Sequence, residues 1–332
     1  MRLPKFRYLF QNRALVLMYH RINNPLTDPW NLSVSPENFN AQLKFLKEHY
    51  SIISTHELIR QIESGKIQNG AVALTFDDGY LDNFTTAKPL LEKYSVPATF
   101  FITDSYLGGQ PFWWDELEAI IVHTDKLPSV LSVSFRNETI NFNLGEDCEL
   151  NEKIRSKQAN FGASQPPTLR TKLYVKLWKL FSPLQKDDQI KLLKLVKEWA
   201  GLSEDDSQVE GTMSVQQLKL LSDNPLFTIG GHTSTHPALA KHTKDVQKKE
   251  IVENQNFLEN CLDEKIRSFA YPSGNFNSST IQILKERAFS AAFTTTSKPV
   301  VKKTDRYKIG RFQVTDLNQK NFERSLSNWL RK

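Results

Sequence analysis

Cysteines and long hydrophobic runs are scarce in this sequence. Its 332 residues include only Cys148 and Cys261, which cannot build a disulfide framework and fit a reducing compartment. No apolar run approaches the roughly 18 residues that a membrane-spanning helix needs. Internal repeats, zinc-finger spacings and aromatic–basic RNA motifs are also missing. These absences argue against a disulfide scaffold, a helical membrane protein and a nucleic-acid-binding protein.

The composition is that of a globular protein. Hydrophobic residues make up 39% of the chain and charged residues 24%, which allows a large core and argues against wholesale disorder. The length suits one α/β barrel with an insertion, so residues 1–332 are predicted to form a single domain. The net charge of +6 permits anionic partners such as lipid headgroups or sugar phosphates, and it does not require nucleic acid.

The N-terminal segment is basic and then apolar. Residues 1–13 carry four basic residues and no acid, and the apolar run 14–18 follows. This order imitates a signal peptide, but the run is short, lacks a small-residue cleavage site and leads directly into Tyr19, His20 and Arg21. We therefore predict a buried strand over 14–22 and a cytoplasmic protein. The aromatic and basic start either contacts a membrane surface or caps the barrel.

Strand-like and helix-like patterns alternate along most of the chain. This alternation predicts an α/β fold in which helices surround a mostly parallel sheet. Strands are predicted at 14–20, 71–76, 97–103, 226–231, 268–272, 290–296 and 306–314. Helices are predicted after Ser35 and at 56–65, 84–94, 244–262, 278–288 and 318–330.

The alternation breaks down between residues 109 and 225, where we predict a mainly helical insertion. A short hairpin is expected at 130–143, and Pro166-Pro167 indicates a hinge or boundary. Residues 168–198 have a helical pattern and carry eight Lys or Arg against three acids. This stretch is interpreted as an insertion packed on the barrel with solvated lysines. A lid that binds the acceptor or faces a membrane is the alternative.

Two polar segments follow predicted strands and carry candidate metal ligands. Asp77 and Asp78 end a buried strand, and their mutual repulsion favours a metal or a shared proton there, although a simple turn has the same residues. His232 and His236 can converge on one metal if their segment forms a helical turn; otherwise they are surface histidines. With Asp78 they would form a two-histidine, one-carboxylate set that leaves coordination positions open, as a hydrolytic site requires.

A third segment, Tyr271-Pro272-Ser273-Gly274, reads as a tight turn after a strand. It either offers a backbone N–H to an oxyanion or merely ends the strand. In this order, Thr75-Phe76-Asp77-Asp78-Gly79, His232-Thr233-Ser234-Thr235-His236 and this turn resemble the three motifs of the polysaccharide deacetylase family, carbohydrate esterase family four. The resemblance runs from about residue 14 to about 314 and covers the insertion only in part. Leu17–Arg21, Asp28–Trp30 and Phe112–Asp115 are similar to a branch that modifies bacterial surface glycans.

The resemblance implies a distorted (β/α) barrel and a metal-dependent deacetylase. By it, Asp77 is the general base, the backbone N–H of Tyr271 contributes to the oxyanion site, and Asp78, His232 and His236 hold one divalent metal. Zinc is the expected ion, and cobalt or nickel also suits a mixed nitrogen and oxygen set.

Two features of the sequence depart from the family pattern. Many members carry an arginine that braces the base, but Arg267 lies too early for that role. Many also carry a late histidine as general acid, whereas no histidine follows His242. His20, at the end of the first strand, is the best substitute, although a core histidine bonded to backbone fits equally. Asp115 is a lesser candidate.

Aromatic residues near the motifs suggest a saccharide ligand. Trp30, Trp113 and Trp114 either stack on sugar faces or belong to the core, and Asp115 lies beside them. The leading hypothesis is removal of an acyl group, expected to be acetyl, from an amino sugar on a glycan or on a nucleotide or lipid carrier. The alternatives are an O-acetyl esterase, a deformylase of a lipid-linked amino sugar, and a glycan-binding module with a decayed catalytic site.

Overall fold

The computed structural model describes residues 12–136, 138–203 and 209–332. The basic and aromatic start of the chain, for which membrane contact was one prediction, lies almost entirely outside them. Ten strands occur in these ranges: β1 Ala14–Tyr19, β2 Ser51–Ile52, β3 Ala71–Asp78, β4 Ala98–Ile102, β5 Val130–Phe135, β6 Glu138–Asn143, β7 Phe227–Gly231, β8 Ser268–Ala270, β9 Ala291–Phe293 and β10 Phe312–Gln313.

Eleven α-helices accompany the strands in the described part of the chain. In the first of them, the side chain of Ser35 accepts a hydrogen bond from the N–H of Asn38 and so caps the N-terminus. The second ends at Gly65, whose φ of 66° suits glycine. The helices are α1 Pro36–His49, α2 Thr55–Ser64, α3 Lys88–Tyr94, α4 Trp113–Glu118, α5 Glu152–Gln158, α6 Leu169–Phe181, α7 Lys186–Ala200, α8 Val215–Ser222, α9 Lys244–Leu262, α10 Ser278–Glu286 and α11 Gln319–Trp329.

The main sheet is parallel and almost closes into a barrel. Its strand order is β10-β1-β3-β4-β7-β8-β9, and β2 pairs with the start of β3. The segment before β10 bridges β9 through Phe293 and Ile309, while β10 itself pairs with β1. The stretch from Ile309 to Gln313 therefore spans the gap between β9 and β1. The predicted α/β class and distorted (β/α) barrel are confirmed.

The predicted elements agree with the structure except near their ends. Helix α9 has the predicted bounds, whereas the helix predicted at 84–94 begins with a π-helical turn, Asn83–Ala87. The strand predicted at 306–314 is reduced to two residues, because its first part makes only an isolated bridge. The helical stretch 168–198 divides into α6 and α7 around Pro183.

Residues 109–225, predicted as an insertion, contain mainly helical structure. This segment contains the β5–β6 hairpin and helices α4 to α8. Most of its buried residues, among them Phe112, Leu173, Leu177 and Phe181, belong to a hydrophobic cluster separate from the barrel core, whereas the buried residues of α8 belong to the barrel core. The insertion can therefore hold its own shape while it contacts the barrel. None of the helices in the described ranges is both long and apolar enough to cross a membrane.

Candidate metal centre and catalytic cleft

A cavity of about 320 Å³ lies where the parallel strands end. The last residues of β3 meet there with residues that follow β1, β7 and β8, because parallel strands share one carboxyl edge. The cavity takes in most of the predicted site residues and leaves out Tyr271 and Asp115. The site residues that line it are His20, Trp30, Asp77, Asp78, Trp113, Trp114, His232 and His236.

Asp78, His232 and His236 form a candidate metal site at the base of this cavity. One ligand atom from each lies within 4.8 Å of the others. The Nε2 atoms of both histidines lie 3.4 Å from Oδ1 of Asp78. This buried Oδ1 has no hydrogen-bond partner among the described residues, although an orphaned buried carboxylate oxygen is costly. Two imidazoles and a carboxylate facing one point fit a divalent cation.

The ionisation states of Asp78 and His236 suit metal binding. Burial opposes ionisation of Asp78, but the histidines beside it hold the pKa of its carboxyl below the usual range. Burial lowers the pKa of His236 to about 4, which leaves a neutral imidazole at pH 7. A carboxylate and a neutral imidazole are the forms that ligate. Burial opposes the charged form of His232, but its hydrogen bond to Asp78 and the Asp77 charge raise the pKa of its ring overall, so a metal would have to displace that proton.

Backbone geometry brings both acids to the cavity. Successive side chains of a strand point to opposite faces, so Asp77 and Asp78 would diverge in a regular strand. Asp78 instead has a φ of 77°, and Gly79 follows at 86°. A non-glycine residue in this region is strained, and such strain is typical of functional sites. The turn places both carboxylates in one cleft.

The two histidines lie on an irregular loop, so they converge without the helical turn that the sequence analysis gave as the condition. Thr233 and His236 have φ values of 63° and 60°, and the hydroxyl of Thr233 accepts a hydrogen bond from the N–H of His236. Nδ1 of His232 lies 2.8 Å from the carbonyl oxygen of Ala270. That contact orients the ring and leaves Nε2 directed towards Asp78.

Asp77 is held by an arginine that the sequence analysis missed. Arg311 donates from Nη1 to Oδ1 at 2.6 Å and from Nη2 to Oδ2 at 2.7 Å. Burial opposes ionisation of Asp77, but the Arg311 guanidinium and His232 hold the pKa of its carboxyl below the usual value. Because both oxygens of Asp77 accept hydrogen bonds, Asp78 is the better ligand. Arg267 is exposed and donates to the carbonyl of Ala288.

His20 shares the cavity with Asp77. Its Nε2 lies 4.0 Å from Oδ2 of Asp77, and its side chain is 13% exposed. Its buried Nδ1 has no hydrogen-bond partner in the described part of the chain. A purely structural histidine normally bonds its ring nitrogens to the backbone. The environment of His20 therefore disfavours the core-histidine alternative.

Tyr271 cannot contribute its N–H as predicted. That N–H already donates to the carbonyl of Phe293 at 3.0 Å, and the phenol donates to the carbonyl of Tyr307. The side chain is fully buried. Ser273 is the residue of this turn that lines the cavity, and its φ of 52° departs from helical geometry. The third motif therefore lines the cleft through Ser273, two residues after the predicted Tyr271.

Asp115 also lies outside the metal cavity, contrary to prediction. It lines a neighbouring cavity of about 550 Å³ and accepts a hydrogen bond from the hydroxyl of Tyr80 at 3.1 Å. That hydroxyl accepts another from Nε1 of Trp114. Burial raises the pKa of the Asp115 carboxyl to about 7, although the Arg21 charge opposes the rise. Asp115 therefore reaches the cleft only through Tyr80 and Trp114.

Four tryptophans line the cleft: Trp30 and three from the insertion, Trp113, Trp114 and Trp178. Trp113 and Trp114 are largely buried, and the Trp114 ring centroid lies 4.9 Å from that of His236. Trp178 of α6, which was not singled out as a site residue, packs against Trp30, with ring centroids 4.3 Å apart and planes tilted by 36°. Flat apolar rings beside a polar centre suit a sugar ring.

Comparison with known proteins agrees with this geometry. The family model for polysaccharide deacetylase matches residues 64–127 and 196–292, which contain the acid pair, the histidine loop and the third motif. The chain is similar to the polysaccharide deacetylase family over these two stretches. The part of the insertion from residue 128 to 195 lies between the two stretches that match.

Two staphylococcal relatives carry the name poly-β-1,6-N-acetyl-D-glucosamine N-deacetylase. The Staphylococcus epidermidis protein is 24% identical over 340 aligned positions, which cover 96% of this chain and 84% of the relative. A Staphylococcus aureus protein is 33% identical over 122 residues, 33% of this chain and 42% of that protein.

Solved deacetylase structures share the fold. IcaB from Ammonifex degensii has a TM-score of 0.59 and 18% identity, over 97% of this chain and 98% of that one. The Streptococcus pyogenes deacetylase PplD, in complex with acetate, has a TM-score of 0.55 and 20% identity, over 96% and 99%. The barrel and the added helical structure thus occur in a family of deacetylases.

Proposed function

We propose that this deacetylase hydrolyses the N-acetyl amide of an amino sugar within a surface polysaccharide and that it requires a divalent metal. The observation that carries the proposal is the grouping of Asp78, His232 and His236 around one point, with Asp77 beside them. A divalent ion held there lowers the pKa of water and polarises a carbonyl group. Zinc is the expected ion, and cobalt or nickel also suits these donors.

Asp77 takes the role of general base in this proposal. Its carboxylate is ionised, faces the cleft and is fixed by Arg311, so it is placed to accept the proton of an attacking water. Ser273 replaces Tyr271 as the candidate for an oxyanion donor, since it is the residue of that turn that lines the cleft. Arg311 braces Asp77 in the way that the family arginine, not found in the sequence analysis, braces the base. This removes one argument for a decayed catalytic site.

His20 is proposed as the general acid, and substrate comparison tests it. An amide releases an amine that must be protonated, whereas an activated aryl ester releases an anion that needs little help. We expect His20→Ala to lower kcat/KM for the amide by about 10²–10⁴-fold and to affect the ester far less. Metal content measured in parallel shows whether the centre stays intact. An equal loss on both substrates would contradict the assignment, and an unchanged amide rate would leave the role to solvent.

The tryptophans are proposed to bind the sugar chain. Replacing Trp178 by Ala should raise KM for an oligosaccharide about tenfold, which corresponds to about 1.4 kcal/mol, and should leave hydrolysis of a small aryl ester unchanged. Trp199 on α7 is a matched control, because it donates to the carbonyl of Val130 and does not line the cleft. Trp199→Ala should keep the KM of the wild type. Equal KM values for all three proteins would argue against stacking at Trp178.

Acetate release from a substrate panel tests the proposed function. The panel contains oligomers of β-1,6-linked N-acetylglucosamine, other N-acetylated oligosaccharides, nucleotide-linked and lipid-linked N-acetyl sugars, and O-acetylated and N-formylated analogues. We expect the N-acetylated polymer to be preferred and a chelator to abolish release. Preference for the O-acetyl or N-formyl analogues would support the esterase or deformylase alternative. Binding without any release would support a glycan-binding module. The cytoplasmic location and contact with a membrane or a lipid carrier remain predictions.

A further inference from the structure

The two metal-binding histidines lie on a loop that is strained and therefore needs support. Thr233 and His236 both have positive φ values, and neither is a glycine. Such backbone persists only where surrounding contacts hold it. Within the loop, the Thr233 hydroxyl binds the His236 N–H. Further support comes from residues 102–105 at the end of β4, which bond His232 and Ser234. Helix α9 supports the loop from another element and carries no ligand of its own.

Asn254 of α9 holds the first half of the loop. Its Oδ1 accepts a hydrogen bond from the N–H of His232 at 3.1 Å, and the same N–H also reaches the carbonyl of Ile102 at 3.1 Å. Its Nδ2 donates to the carbonyl of Ile102 and to Oδ1 of Asp104, at 3.0 and 2.7 Å. The side chain is fully buried. A Cβ atom at Gly231 would lie 2.8 Å from the Asn254 Oδ1, so glycine is needed at that position for the amide to approach.

Glu250, one turn earlier on α9, holds the second half of the loop. Its carboxylate accepts from the N–H of Thr235 at 2.8 Å and from the hydroxyl of Thr235 at 2.7 Å. The carbonyl of Glu250 also accepts from the N–H of Ser234. Residues four apart on a helix share one face, so both groups meet the loop from the same side.

We infer that Asn254 and Glu250 are positioning residues that fix the histidine loop in its metal-binding shape. The inference rests on the proposed function, because it assumes that His232 and His236 bind a metal. Neither side chain reaches the metal. Each acts through the backbone of the loop, in the way that groups hydrogen-bonded to metal ligands set affinity elsewhere.

Cobalt binding to the purified protein tests the inference. We expect Asn254→Leu to weaken Co²⁺ binding by about 10–100-fold and to change the visible spectrum of bound Co²⁺, which reports coordination geometry. Gln255→Leu is the matched control. Gln255 is 4% exposed and bonds the carbonyls of Ile266 and Arg287, away from the loop. It should lower the melting temperature and leave both the Kd for Co²⁺ and the spectrum unchanged.

Glu250→Ala keeps the test decisive if Asn254→Leu does not fold, because Glu250 is only partly buried. It should also weaken Co²⁺ binding, and Glu250→Gln should restore part of the affinity. If the Asn254 or Glu250 variants that fold keep the wild-type Kd for Co²⁺ and the wild-type spectrum, this inference alone is overturned. The same holds if Gln255→Leu changes the Kd for Co²⁺ as much as they do. A wild type that binds no Co²⁺ would overturn the proposed function and the inference together.

Discussion

Asp77→Asn should lower kcat for amide hydrolysis by about 10²–10⁴-fold while the protein still binds its metal. The substitution removes the proton acceptor, because an amide side chain is not a base. The metal is retained because Asp78, His232 and His236 are unchanged. The measurement is kcat together with metal content. Wild-type turnover by Asp77→Asn would remove Asp77 from the base role.

The same substitution should also destabilise the protein. Arg311 is fully buried, and its guanidinium would lose its counter-charge. Breaking one partner of a buried ion pair typically costs about 3–5 kcal/mol in the free energy of unfolding. A double variant, Asp77→Asn with Arg311→Met, removes both charges and should regain much of that stability. Its turnover should stay low, which separates the lost base from a damaged fold.

His232→Ala combined with His236→Ala should abolish metal binding and reduce hydrolysis to background. Only the carboxylate of Asp78 remains in the site, and a lone carboxylate does not hold zinc in competition with water. Metal analysis after dialysis measures the loss. Zinc should raise the melting temperature of the wild type and not that of the double variant, because a ligand stabilises only the state that binds it.

A surface histidine provides the control for this experiment. His49 ends α1 and has a side chain that is 40% exposed beside Glu48. His49→Ala should retain both metal and hydrolysis. One equivalent of metal in the double variant would show that the site lies elsewhere.

The elements and the motif positions were predictable because their causes are local. Hydrophobic runs define β3 and β7, and polar residues placed directly after them must lie at the carboxyl edge of a parallel sheet. The first two motifs follow from that rule. The conformation of the histidine loop does not, because its positive φ values depend on contacts with α9.

The corrections concern contacts that only the folded chain creates. The N–H of Tyr271 already donates to the carbonyl of Phe293 on β9, and the sequence alone does not show such pairing. Asp115 misses the cleft because each helical residue turns by about 100°, so its side chain leaves the face on which Trp114 lies. Arg311 had no local signal, since its partner Asp77 lies 234 positions away.

Because Asp77 and Arg311 are 234 positions apart, their ion pair forms late in synthesis and folding. Until the segment that carries Arg311 docks beside β1, the carboxylate of Asp77 has no counter-charge and repels Asp78. Bringing such distant positions together costs chain entropy, and contacts of this kind form slowly. A nascent chain that has not yet exposed Arg311 therefore holds both histidines and both aspartates, but the carboxylate proposed as the base lacks its brace. The ion pair can form only after the segment that carries Arg311 has left the ribosome and docked beside β1.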